Sequence, residues 1–101
     1  MAQSEILDTI WETINDRVRH PTASSYTSHI LTHRKGIDKA LEKIGEESTE
    51  FIIAVKNKDS EFIIGEAADL LFHLMLAIKA SGLEMEDIYV ELVKRHIAKQ
   101  N

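Results

Sequence analysis

Apolar residues recur every three or four positions along most of this chain, which is the spacing of one face of an α-helix. Near the N-terminus this set is Ile6, Leu7, Ile10, Ile14 and Val18. The pattern predicts a first helix that Ser4 caps and that runs to about Arg19, since Pro21 cannot continue it. The strict alternation of a β-strand is not visible anywhere in the sequence, so we predict an all-α fold.

Four further helices are predicted from the same periodicity. A short one covers about 26–33 with Ser25 as its cap, and Gly36 ends that segment. Two long helices follow, the first over about 37–56 and the second from Asp59 or Ser60 to Gly82, and a last helix covers about 85–99. The short connection at residues 57–59 makes the two long helices an antiparallel hairpin. The expected architecture is a bundle of four to five helices.

The second long helix is apolar on nearly every side between Phe62 and Ile78. Apart from Gly65, its only exceptions are Glu66, Asp69 and His73, which an advance of about 100° per residue collects into one narrow stripe. A helix that is apolar all round is a buried helix, so the carboxylates are expected to be buried too. One copy of a 101-residue chain cannot readily cover such a helix, and we expect a homodimer whose bundle the second subunit completes.

Acidic pairs three residues apart lie on both long helices and are predicted to face each other. In a hairpin that reverses near Lys58, Glu47 lies level with Asp69 and Glu50 with Glu66. Burying an ionised carboxylate costs roughly several kcal/mol unless an opposite charge or hydrogen bonds compensate it. Acids that face each other also raise one another's pKa. A divalent cation resolves this conflict. Oxygen-only ligands predict Mg²⁺ first and Mn²⁺ second.

Composition limits the classes of function. The length of 101 residues predicts a single domain, 1–101, and a formal charge of −5 argues against a general nucleic-acid binder. No apolar run approaches the ~20 residues of a membrane span, and no signal peptide is visible, so we expect a cytoplasmic protein. The absence of cysteine excludes disulfides and thiolate metal ligands.

Several segments resemble known enzymes. The acidic pattern Glu46-Glu47-x-x-Glu50 with Glu66-x-x-Asp69 resembles the signature of the MazG-like all-α nucleoside triphosphate pyrophosphohydrolase superfamily. A closer similarity to the phosphoribosyl-ATP pyrophosphatase family of histidine biosynthesis covers nearly the whole chain. It is carried by Ser25-Tyr26-Thr27, Gly36-Ile37-Asp38-Lys39, Glu42-Lys43-Ile44-Gly45-Glu46-Glu47 and Glu66-Ala67-Ala68-Asp69-Leu70-Leu71-Phe72-His73-Leu74. His29 departs from the family, which often carries lysine there.

The resemblance implies Mg²⁺-dependent hydrolysis of phosphoribosyl-ATP to phosphoribosyl-AMP and pyrophosphate. Glu47, Glu50, Glu66 and Asp69 would hold the metal, and Glu46 would position or deprotonate the attacking water, with Glu47 as a second catalytic residue. The other implied roles are phosphate contacts from Lys39 and Lys43 and binding of the phosphoribosyl end by Ser25, Tyr26, Thr27 and Arg34. His73 is expected to support a ligand rather than to bind the metal itself.

Three alternatives stay open at the level of sequence. The nearest is a house-cleaning hydrolase of the same superfamily that acts on ordinary or damaged nucleotides. The second is a di-iron carboxylate bundle, although such sites use Glu-x-x-His and here His73 follows Asp69 by four positions. The third is a structural or regulatory helical dimer, in which the acids would have no ligand.

Overall fold

A computed structural model describes residues 2–100, apart from the side chain of Gln100. Within that range a single turn of 3-10 helix, Gln3–Glu5, precedes five α-helices and no strand is present. The α-helices are α1 (Ile6–Arg19), α2 (Tyr26–Thr32), α3 (Gly36–Lys56), α4 (Ser60–Ala80) and α5 (Met85–Gln100). The predicted all-α class is therefore confirmed. The single-domain assignment of 1–101 stays a prediction, and its first and last residues lie outside the described part.

Local interactions set most of the helix boundaries. The Ser25 hydroxyl oxygen accepts a hydrogen bond from the Ser28 N–H at 3.1 Å, and the Asp59 carboxylate accepts one from the Phe62 N–H at 3.3 Å. Both predicted caps are thus confirmed, because each satisfies a backbone donor that the helix leaves free. The prediction that Ser4 caps the first helix is wrong, because Ser4 lies in the 3-10 turn and α1 starts without a side-chain cap.

Gly36 was predicted to end the second helix, but it is the first residue of α3. Its N–H donates to the His33 carbonyl at 2.9 Å, so the chain turns directly from α2 into α3. Lys58 and Gly82 both have positive φ, at 57° and 79°. These two residues reverse the chain after α3 and end the turn after α4, which are positions where the left-handed conformation is common.

The α3–α4 hairpin is the largest helix pair, and α1 and α2 pack across one end of it. Their crossing forms the core, whose fully buried members come from four helices: Ile14, Ile30, Ala40, Met75 and Leu76. Among residues 2–100, α5 forms no extensive contact with any other helix. The core therefore lies at the end of the hairpin that contains the start of α3 and the second half of α4.

A single chain does not bury α4 all round, so the predicted burial of this helix depends on the predicted second subunit. Only His73, Met75 and Leu76 of this helix are buried, whereas Phe62 is 63% and Ile64 69% exposed. The reason is geometric, because α1 and α2 pack only against the end of the hairpin that contains the start of α3 and the second half of α4. Nowhere in residues 2–100 does a helix carry an apolar stretch sufficient to cross a bilayer.

Candidate active site

Acidic side chains from α3 and α4 meet in the middle of the hairpin. Glu50 and Glu66 interact through their carboxyl groups, as the antiparallel register predicts. Glu47 is buried with 8% of its surface exposed, and Glu66 is half-buried. Glu50 and Asp69 are exposed, so the single chain does not bury the Asp69 carboxylate as predicted, because no helix of the same chain covers that face.

The four acids act on one another electrostatically. Burial raises the pKa of the Glu66 carboxyl above its ordinary value, and contact with Glu50 raises it further. The charges of Asp69 and Glu47 add to the same effect. Placing several carboxylates together without a cation favours the neutral form of at least one of them. The hairpin thus creates a local excess of negative charge.

Two carboxylate oxygens in this cluster are buried and accept no hydrogen bond within residues 2–100, namely Glu47 Oε1 and Glu66 Oε2. Buried polar atoms are nearly always paired in proteins, so such atoms indicate a missing partner. An oxygen-only donor set is suited to a hard divalent cation. In the described residues, however, no three acidic or histidine side chains converge closely enough to hold a metal ion. The donors fit Mg²⁺ in type, since all of them are carboxylate oxygens.

His73 links the acid cluster to α2. It is buried at 7% exposure, and its Nε2 lies 2.8 Å from the Tyr26 hydroxyl oxygen. Its Nδ1 lies 3.0 Å from the Asp69 carbonyl oxygen and 2.8 Å from Glu47 Oε1. The approach to Glu47 is short enough for an ion pair but is not aligned as a hydrogen bond, since Oε1 has no hydrogen-bond partner. The imidazole therefore connects three helices at one point.

The other predicted residues are spread around the acid cluster. Glu46 lies outside it, with 61% of its side chain exposed and its carboxylate 3.7 Å from Lys43 Nζ. Thr27 is buried, and the Ser25 hydroxyl caps α2. Arg34 is exposed in the connection before α3. Their assigned roles in substrate binding and catalysis stay predictions.

A groove of about 500 Å³ opens between α2 and α3. Of the predicted substrate residues it brings together Tyr26 and Lys39, and it does not include Ser25, Thr27, Arg34 or Lys43. The full lining is Tyr26, His29, Ile30, His33, Lys35, Asp38, Lys39 and Glu42. Sequence reasoning missed His33 and Lys35 and gave His29 no role. The sequence signal for the two histidines was their spacing of one helical turn. The ring centroids of His29 and His33 lie 5.0 Å apart.

Comparison with known proteins agrees with the earlier resemblance. A family model described as phosphoribosyl-ATP pyrophosphohydrolase matches residues 7–96. The chain is 54% identical over 95 residues to a phosphoribosyl-ATP pyrophosphatase of Methanoculleus marisnigri, with 94% of this chain and 98% of that protein covered. A protein of the same name from Methanosphaerula palustris is 48% identical over 95 residues, with 94% and 96% covered.

A longer relative matches over part of its length. The histidine biosynthesis bifunctional protein of Oceanobacillus iheyensis is 41% identical over 100 residues, which covers 99% of this chain and 46% of that protein. The matches span both long helices, the acid cluster and the segment that contains Tyr26. This chain belongs to the phosphoribosyl-ATP pyrophosphohydrolase family.

Proposed function

We propose that this protein hydrolyses phosphoribosyl-ATP to phosphoribosyl-AMP and pyrophosphate, the second step of histidine biosynthesis, with Mg²⁺ as its cofactor and Mn²⁺ as a substitute. Family membership supports the substrate. The observation that supports the metal is the carboxylate cluster, in which Glu66 Oε2 is buried without a partner in residues 2–100 and Glu47 Oε1 has only the unaligned His73 Nδ1 beside it.

Glu47, Glu50, Glu66 and Asp69 would hold the metal in this proposal. When bound, Mg²⁺ neutralises the charge of the triphosphate and lowers the pKa of a coordinated water. Burial and the neighbouring acids raise the pKa of Glu66, and a bound cation would lower it and favour the ionised carboxylate.

The reaction itself breaks the anhydride bond between the α- and β-phosphoryl groups. The oxygen of water forms the new bond to one of the two phosphorus atoms, the bridging oxygen leaves with the other phosphoryl group, and the water proton passes to a carboxylate. Glu46 is our candidate for that carboxylate, because it lies one residue before Glu47 and is exposed to solvent. Lys43, which lies 3.7 Å from Glu46, would contact phosphate oxygens together with Lys39.

The substrate end would occupy the groove between α2 and α3. Lys35 and Lys39 supply positive charge along its wall, while the Tyr26 ring and the pair of imidazoles offer flat surfaces. These groups suit a phosphorylated sugar. Ser25, Tyr26, Thr27 and Arg34 remain our candidates for the phosphoribosyl end, with Ser25 and Thr27 contributing mainly by holding α2 in place.

We also propose that the protein is a homodimer in the cytoplasm, where its charged nucleotide substrate would be available. The hairpin exposes large apolar side chains on both of its helices: Ile52, Ile53, Val55, Phe62, Ile64, Leu71 and Leu74. Monomers rarely leave so large an apolar surface in contact with water. A second copy of the same hairpin would cover it and would complete the bundle.

Pyrophosphate release from phosphoribosyl-ATP, measured beside a panel of nucleoside triphosphates, tests the function. We expect preference for phosphoribosyl-ATP, loss of activity in EDTA and recovery with Mg²⁺. Glu47→Gln and Asp69→Asn should each lower the rate by about 100-fold or more, as removal of metal ligands does in such sites. Glu5→Gln, in the 3-10 turn, is the matched control. Preference for the panel would instead establish the house-cleaning alternative.

A further inference from the structure

The contacts of His73 identify which of its nitrogens carries the proton. Both neighbours of Nδ1 are acceptors, the Asp69 carbonyl at 3.0 Å and the Glu47 carboxylate at 2.8 Å. Nδ1 must therefore hold a hydrogen. In the neutral imidazole Nε2 is then an acceptor, and the Tyr26 hydroxyl at 2.8 Å is positioned to donate to it. Tyr26 stabilises the tautomer in which Nδ1 donates its proton to the Asp69 carbonyl and presents a positive N–H dipole 2.8 Å from the Glu47 carboxylate.

Tyr26 is itself held in place by a series of hydrogen bonds. Ser25 caps α2 through the Ser28 N–H, and the Ser28 hydroxyl accepts from the Thr22 N–H at 3.0 Å. Ser28 is 2% exposed, so this corner of the fold is well packed. The Tyr26 ring meets His73 edge-on, with the centroids 5.8 Å apart, and also packs near Phe72. Phenylalanine would preserve this packing, which leaves the hydroxyl with one specific function.

We infer that Tyr26 is a positioning residue, which acts through His73 to hold the Glu47 carboxylate in the orientation that binds the metal. The inference rests on the proposed role of Glu47 as a ligand and changes the expected role of Tyr26, whose hydroxyl is paired with the buried His73 although the residue is 45% exposed. It also connects α2, which lines the substrate groove, with the acids of α3 and α4. Loss of a residue that orients a metal ligand typically weakens metal binding by about 10-fold to 100-fold.

Binding of Mn²⁺ to the full chain, followed by electron paramagnetic resonance of the free ion, tests the inference. Tyr26→Phe should weaken binding by about 10-fold or more, whereas Tyr89→Phe, which removes the hydroxyl of the other tyrosine, should not. Imidazole ¹⁵N shifts should show His73 as the Nδ1–H tautomer in the wild type and as a mixture in Tyr26→Phe. The His73 signals are identified by their loss in His73→Asn.

A double-mutant cycle separates action through His73 from direct action. The amide of His73→Asn offers an N–H in place of Nδ1 but has no acceptor in place of Nε2, so adding Tyr26→Phe to it should cause no further loss of Mn²⁺ affinity. Circular dichroism verifies that all variants are folded. Unchanged affinity in Tyr26→Phe, or an equal loss in both backgrounds, would overturn the inference while leaving the proposed function intact. A wild-type protein that binds no Mn²⁺ would overturn both.

Discussion

Gly36 at the start of α3 lies directly against the backbone carbonyl of Ile30 in α2. A side-chain carbon at position 36 would overlap that carbonyl group. Ile30 belongs to the buried core and is 1% exposed, so it has little freedom to move away. These two residues hold the end of α2, which lines the groove beside Tyr26, against the start of α3, the helix that contains Glu47 and Glu50.

We therefore expect Gly36→Ala to destabilise the protein, because backbone atoms rather than a flexible side chain would have to shift. The cost should be about 3 kcal/mol, at the upper end for overpacked sites. Gly45→Ala is the matched control, since no atom lies within 4 Å of the added carbon. In the interior of a helix that change should stabilise the protein by up to about 1 kcal/mol. Urea denaturation of both variants measures the two effects, and equal stabilities would contradict the expectation.

The raised pKa of Glu66 predicts a defined pH dependence of stability in the metal-free protein. The folded state holds the Glu66 proton more tightly than the unfolded state, whose carboxyl titrates near the ordinary value of 4.5. Stability therefore falls as the pH rises from 4.5 through the raised pKa. In EDTA, Glu66→Gln should melt at a higher temperature than wild type at about pH 8. This difference in melting temperature should disappear below pH 4.5, the ordinary pKa of the carboxyl group. A Tm difference that is independent of pH would contradict this cause.

Trp11 is the only tryptophan in the sequence and reports on the charge of Glu84. Its Nε1 donates to the Glu84 carboxylate at 3.1 Å, and Lys79 Nζ lies 3.0 Å from the same group and 5.5 Å from the indole centroid. The hydrogen bond from Lys79, followed by that from Trp11, lowers the pKa of Glu84 below its ordinary value of 4.5. The stability that this carboxylate contributes is thus present above pH 4.5 and is lost as the pH falls through the lowered value.

Tryptophan fluorescence should accordingly show an acid transition with a midpoint below pH 4.5. Lys79→Met removes the largest cause of the shift, so it should move the midpoint upward towards the ordinary value. Glu84→Gln should abolish the transition altogether. If the transition persists in Glu84→Gln, another group is responsible for it.

The exposed apolar side chains of the α3–α4 hairpin predict what a charge placed among them would do. Ile64 is 69% exposed in the single chain and would be buried in the proposed dimer. An unpaired buried charge costs roughly 3 kcal/mol or more. Ile64→Glu should therefore convert a dimer to a monomer in size-exclusion chromatography with light scattering. Val18→Glu places the same charge on an exposed side chain of α1 and should leave the mass unchanged. A monomeric wild type would refute the proposed dimer.

Local sequence determined most of the secondary structure of this protein. The periodicity of apolar residues, the caps at Ser25 and Asp59 and the reversal near Lys58 depend on contacts within a few residues, so they can be read without knowledge of the fold. The pairing of Glu50 with Glu66 followed for the same reason, because a short turn leaves two helices only one antiparallel register.

Only the tertiary structure decided which of these groups are buried and what they contact. Spacing along α4 placed His73 on the acidic stripe, but its partners Tyr26 and Glu47 lie on two other helices. Similarly, the exposure of Asp69 and the groove beside Tyr26 depend on where α1 and α2 cross the hairpin. A periodic pattern identifies the face of a helix on which a residue lies, whereas the neighbour opposite that face is brought there by packing between segments distant in sequence.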